Sequence, residues 1–149
     1  MTSTQFLCAV LLFSLAGCDQ STASKDAVPK NALSEHALSD PNSPWAQAKQ
    51  RNISFRAVGN EPGWSVEIGR GETPALHLEM NYGEQKTDVA KTETTPEGFF
   101  GNAADGTEIQ VLIDRETCTD DMSGQEFEAS VLLKVGDRDY RGCGVSLVD

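Results

Sequence analysis

The stretch Ala75-Leu76-His77-Leu78-Glu79-Met80-Asn81-Tyr82 decides the fold. Leu76, Leu78, Met80 and Tyr82 alternate with Ala75, His77, Glu79 and Asn81. A period of two turns one apolar face to a core and one polar face to water, the pattern of a half-buried strand. Ile109, Val111 and Ile113 repeat it, as do Val131, Leu133 and Val135, while Trp64, Val66 and Ile68 share a face in the same way. Working outward, the candidate strands are 53–58, 64–68, 75–82, 87–94, 98–102, 108–114, 127–135 and 139–145. Turn signals at Gly59-Asn60, Gly69-Arg70-Gly71, Asp105-Gly106 and Gly136-Asp137 separate them. No stretch beyond Ile53 has a helical period lasting three turns. About eight short strands with regular turns predict an all-β domain, a small antiparallel barrel or sandwich.

The 149 residues, 38% of them hydrophobic, leave room for one such domain, placed at 53–149. Ahead of it, residues 18–52 are rich in Ser, Ala, Asp, Lys, Asn and Pro, the composition of a flexible tether. Within that tether, Trp45 in Pro44-Trp45-Ala46-Gln47-Ala48-Lys49 is expected to start a short helix or to dock on the domain, and His36 to be solvated. An apolar run from Phe6 to Leu15, too short to span a bilayer, precedes Ala16-Gly17-Cys18. Leu15-Ala16-Gly17-Cys18 resembles the lipobox of bacterial lipoproteins. That resemblance implies that residues 1–17 are a signal peptide and that Cys18 is lipidated and becomes the first mature residue. The protein is then expected in the cell envelope, facing the periplasm. Asp19 directly after the lipidated cysteine favours the inner over the outer membrane, by analogy with the enterobacterial sorting rule. The start, Met1-Thr2-Ser3-Thr4-Gln5, departs from the usual pattern by carrying no Lys or Arg.

Export reduces the cysteines to one pair. Cys8 leaves with the signal and Cys18 carries the lipid, so Cys118 and Cys143 remain in an oxidising compartment where disulfides persist. Neither has a second cysteine or a histidine at metal-ligand spacing, and both are read as structural. Net charge is -11, and residues 1–52 contribute none of it, because Lys25, Lys30, Lys49 and Arg51 cancel Asp19, Asp26, Glu35 and Asp40. A domain this acidic repels a phosphate backbone, which argues against nucleic acid. It favours a basic protein partner or cations, or simply keeps an envelope protein soluble.

Three motifs punctuate the domain: Gly59-Asn60-Glu61-Pro62-Gly63-Trp64, Cys118-Thr119-Asp120-Asp121-Met122-Ser123-Gly124 and Tyr140-Arg141-Gly142-Cys143-Gly144. In this order they resemble an uncharacterised family of bacterial envelope lipoproteins with a Gly-Asn-Glu-Pro-aromatic-Trp turn, a Cys-x-Asp-x-Met-Ser element and a closing Gly-Cys. Gly63 stands where that family usually has its aromatic residue. The family occurs beside the small β-barrel domains of lysozyme inhibitors, and the resemblance brings no settled activity. Met122-Ser123-Gly124-Gln125-Glu126-Phe127 is also similar to the Ser-Gly-x-x-aromatic loop of c-type lysozyme inhibitors. Their second contact, a Lys-Gly element, has only Lys134-Val135-Gly136 as a weak counterpart.

Glu61, Trp64, Met122, Ser123, Gly124 and Arg141 are therefore the candidate binding residues. Trp64 either faces a ligand or fills the barrel end, and a buried Glu61 would need Arg56 or Arg141 as donor. Asp114, Glu116, Asp120 and Asp121 crowd one loop but lack the spaced oxygens of a calcium site. His77 is expected to be exposed, and with no second histidine in the domain neither a His-based triad nor a zinc site can form. The expected protein is a lipid-anchored, non-catalytic β-barrel binding domain without cofactor. Inhibition of c-type lysozyme and a carboxylate-based hydrolase using Glu61 are the alternatives.

Overall fold

The computed structural model describes residues 35–148. The expected signal peptide, Cys18 and the tether up to residue 34 lie outside the described residues, as does the His36 side chain. Two short helices, α1 (Glu35–Ser39) and α2 (Pro44–Gln50), precede the strands. These are β1 (Phe55–Asn60), β2 (Gly63–Ile68), β3 (Leu76–Met80), β4 (Gln85–Val89), β5 (Glu93–Thr95), β6 (Gly98–Asn102), β7 (Glu108–Asp114), β8 (Cys118–Thr119), β9 (Glu126–Phe127), β10 (Ala129–Val135) and β11 (Arg138–Ser146). Nine of them form one antiparallel sheet, in the order β4-β3-β2-β1-β11-β10-β7-β6-β5. The chain meanders from neighbour to neighbour, and the last strand pairs back onto the first, Phe55 opposite Ser146 and Val58 opposite Cys143. The fold is thus an all-β, curled antiparallel sheet, a partly closed barrel with its seam between β4 and β5. Across that seam, a Cβ on Gly101 would meet the Val89 side chain at 2.7 Å.

Alternation puts Val66, Ile68, Leu78, Ile109, Val111 and Leu133 on the concave face, each 1% exposed or less. At about 25 cal/mol per Å² of apolar area, each contributes on the order of 1.5–3 kcal/mol. Trp64 joins them at 4% exposed. Its ring lies over β1 and β11, where Gly59 and Gly142 leave room for it.

A second apolar cluster lies on the outer face. Cys143, Val145 and Leu147 point away from the barrel and are covered by Trp45, Ala48 and Phe127. α2 forms because Ser43 caps it, accepting from the Ala46 amide at 3.0 Å, and Pro44 fits its first turn. It ends where Asn52 turns left-handed (φ 66°) and Ile53 N–H bonds Ala48 O at 3.1 Å. Trp45 packs on Phe127 with ring centroids 5.2 Å apart and receives the Arg56 guanidinium over its face at 4.9 Å. The expected docking of Trp45 is realised. Within the residues read as tether, Trp45 and Ala48 of α2 pack on the β domain.

Four local readings are corrected. Gly59 and Asn60 extend β1 instead of turning, and Glu61-Pro62, with a cis peptide bond, forms the two-residue turn between Asn60 and its partner Gly63. The expected strand 87–94 is two strands, because Thr92 turns inward and its amide and hydroxyl both bond Pro74 O at 2.8 Å. The expected strand 127–135 also splits, into β9 and β10, and β9 pairs with β8 in a separate hairpin. Tyr82 does not continue the apolar face of β3: Asn81 and Tyr82 both take positive φ (53° and 58°), which throws the Tyr82 ring into solvent at 81% exposed.

Candidate functional site

Cys118 and Cys143 form the expected disulfide, with Cα atoms 5.5 Å apart and a sequence separation of 25. It pins the β8–β9 hairpin to β11. The hairpin's tip is organised by Asp120. That carboxylate accepts from the Met122 amide at 3.0 Å, from Ser123 Oγ at 2.7 Å and from Asn60 Nδ2 on β1. Partial burial opposes its charge, but the bonds from Ser123, Met122 and Asn60 outweigh burial and hold the carboxyl below its ordinary pKa. The Ser123 hydroxyl donates to Asp120 and accepts from the Gln125 amide at 3.2 Å. Gly124 takes φ +68°, and its amide bonds Asp120 O at 2.7 Å, so the Ser-Gly pair closes the turn.

Between this hairpin and the end of the sheet lies a cleft of about 1220 Å³. Leu112 and Leu132, cross-strand partners on the outer face of β7 and β10, give it an apolar floor together with Val58. Its walls carry Glu61, Glu97, Asp114, Asp120, Asp121 and Asp139, the last paired with Lys134 at 2.9 Å, and Arg141 is the one cation among the described lining residues. Of the sequence candidates, Glu61, Met122 and Arg141 line the cleft and are exposed, and Met122 is 73% exposed. Trp64 does not belong with them: it is a core residue behind Gly59 and Gly142. The Glu61 side chain is exposed rather than buried, and Arg56 binds Glu67 instead, with Nε 3.2 Å from Oε1. Among the described residues no group of three or more His, Cys, Asp or Glu side chains is placed to hold a metal ion.

A feature missed from the sequence crosses the outer face of the first four strands. Arg56, Glu67, His77 and Asp88 are successive register partners on β1, β2, β3 and β4, so their charges alternate along one row. Arg51 reaches from the end of α2 to both Glu67 oxygens at 2.7 and 2.8 Å and ties the helix to the row. Burial pushes the Arg56 guanidinium below its ordinary pKa, and Glu67 beside it opposes that shift. His77 Nδ1 lies 2.6 Å from Asp88 Oδ1 and Nε2 lies 3.4 Å from Glu79 Oε1. Partial burial disfavours its charge, but the Asp88 and Glu79 bonds together raise its pKa. The register alone could have revealed this row, and the register is not visible in a single strand.

A group with a raised folded-state pKa contributes most below its unfolded value, about 6.5 for histidine, and its contribution disappears as pH rises through the folded value. His77→Gln should therefore lower the melting temperature more at pH 5.5 than at pH 8.5. The side chain is 38% exposed, so solvent screening keeps the effect below about 1 kcal/mol. Thermal melts of both proteins across that range would show it, and a deficit that grows with pH would refute it.

Comparison with protein-family models, with curated proteins and with solved structures found no match for this chain.

Proposed function

We propose that this chain is a lipid-anchored envelope protein, held at Cys18 and facing the periplasm from the inner membrane. Its β domain binds a basic protein partner without catalysis. The single observation behind the binding half is the cleft, an apolar floor walled by six carboxylates and one arginine. Apolar area supplies affinity for a protein surface, and a predominantly acidic rim steers a basic partner and disfavours acidic ones. The net charge of -11, all of it on residues 53–149, extends that field over the domain.

Inhibition of c-type lysozyme is the specific version of this reading. It is favoured by the exposure of Met122 on a loop held rigid by Asp120. A hydrolase reading would need Glu61 paired with a second carboxylate across a bound substrate.

The test is binding of the full chain to c-type lysozyme, used as a basic protein probe, by titration calorimetry in detergent. Binding should weaken as salt rises past physiological strength, where the screening length is about 8 Å. Glu61→Lys/Asp121→Lys reverses two exposed rim charges and should weaken binding about tenfold at low salt, since rim charges act chiefly on encounter. Affinity indifferent to salt and to both reversals would overturn the proposal. Fatty-acid labelling of the same chain, lost in Cys18→Ala, checks the anchor.

A further inference from the structure

Tyr82 is the most exposed large hydrophobic residue described, at 81%, and its position is maintained against local preference. It follows Asn81, and both non-glycine residues hold positive φ, a conformation costly for a bulky side chain. Gly83 completes the turn at φ +89°. The ring lies against Gly63, where a Cβ would meet Tyr82 Cδ1 and Cε1. Its hydroxyl donates to Asn60 O at 3.0 Å. Asn60 in turn lines the acidic cleft and donates its side-chain amide to Asp120, which positions Met122. The two most exposed large apolar side chains described, Tyr82 and Met122, are thus linked through one cleft residue. Glu61 follows directly in the chain.

An aromatic ring held in water by strained backbone gains nothing for the core. A continuation of the β3 alternation would have buried it. What the geometry gives instead is an exposed ring tied by its hydroxyl to Asn60, the residue before the exposed Glu61, and a ring and a carboxylate together receive a guanidinium by stacking and charge.

We propose that Tyr82 is the landing plate for an arginine of the basic partner, with Glu61 as its counter-charge at the lip of the cleft. This rests on the binding reading above and adds the partner's side-chain chemistry to it. Aromatic anchors in such rims carry a disproportionate share of binding energy. A planar guanidinium stacks on a ring where a hydrated ammonium does so less well.

The experiment measures anisotropy of fluorescent octa-arginine and octa-lysine peptides titrated with the full chain in detergent. Wild type should prefer octa-arginine severalfold. Tyr82→Leu should lose about tenfold in affinity for octa-arginine, little for octa-lysine, and so erase the preference. Tyr82→Phe should retain it, since the ring remains and only the bond to Asn60 O goes. A purely structural role for Tyr82 would move both peptides together and would track the melting temperature of each variant. Binding of both peptides with the preference intact in Tyr82→Leu overturns this proposal and leaves the acidic-cleft reading standing. No salt-sensitive binding of either peptide by wild type overturns both.

Discussion

Replacing Cys118 and Cys143 together by alanine should lower the free energy of unfolding by about 3.5 kcal/mol, the chain-entropy value for a closed loop of this length. The bridge spans a separation of 25 residues, long enough to restrict the unfolded chain strongly. For a small domain whose total stability is of order 5–15 kcal/mol, that is a large share. Alanine is the right replacement because Cys143 is 4% exposed among Trp45, Phe127, Val145 and Leu147, where a serine hydroxyl would add a desolvation cost of its own. The loss should also reach the cleft, since residues 118–122 form one of its walls and the bridge joins that wall to β11. Denaturant titration of the double variant beside wild type, oxidised and reduced, measures the effect. Reduced wild type should coincide with the double variant. A midpoint shift equivalent to less than about 1 kcal/mol would show that the β8–β9 hairpin is held by other contacts.

The strands legible in the sequence were those whose partners lie on one face over several residues. β3 and β7 stand out because alternation in 76–80 and 108–114 is a local property, and Gly98–Asn102 is followed by the Asp105-Gly106 turn. The seam was not legible. Residues 87–94 look like one strand, and the break at Thr92 depends on Pro74, which is remote in sequence. Gly59 reads as a turn residue for a different reason. Its small size serves the Trp64 ring rather than a turn, and that use of glycine cannot be told from turn chemistry without the neighbouring strand. Tyr82 kept the parity of Leu76, Leu78 and Met80, so only its backbone conformation separates it from the core. Among the candidate site residues, Glu61, Met122 and Arg141 could be selected because each sits in a compact motif. The cleft that unites them draws on six separate chain segments, and its apolar floor of Leu112 and Leu132 reads in sequence as ordinary strand. Ser123 and Gly124 are candidate contact residues by sequence, and their hydrogen bonds show them shaping the turn under Asp120.

Gly142→Ala should destabilise the domain by about 3 kcal/mol, the upper part of the range for overpacking a filled core. A Cβ at this position would run into the carbonyl of Val58 on the neighbouring strand and come within 2.7 Å of Trp64 Cζ2. Flexible side chains yield to such a contact, but Val58 is backbone within β1, so β1 and β11 must separate where the barrel joins its first strand to its last. Trp64 has little room to withdraw, because it is itself buried in the core at 4% exposed. The companion variant Trp64→Phe separates the two clashes. It shortens the ring and removes Nε1, a buried donor with no partner among the described residues, so its own cost should fall below the usual 3–5 kcal/mol for truncating a core aromatic to alanine. In the Gly142→Ala background it should recover only part of the loss, because the collision with Val58 remains. Denaturation of the two single variants and the double gives the coupling between positions 142 and 64 directly. Full recovery in the double variant would mean that the ring alone sets the limit, and strict additivity would mean that Gly142 is required only by the strand pairing.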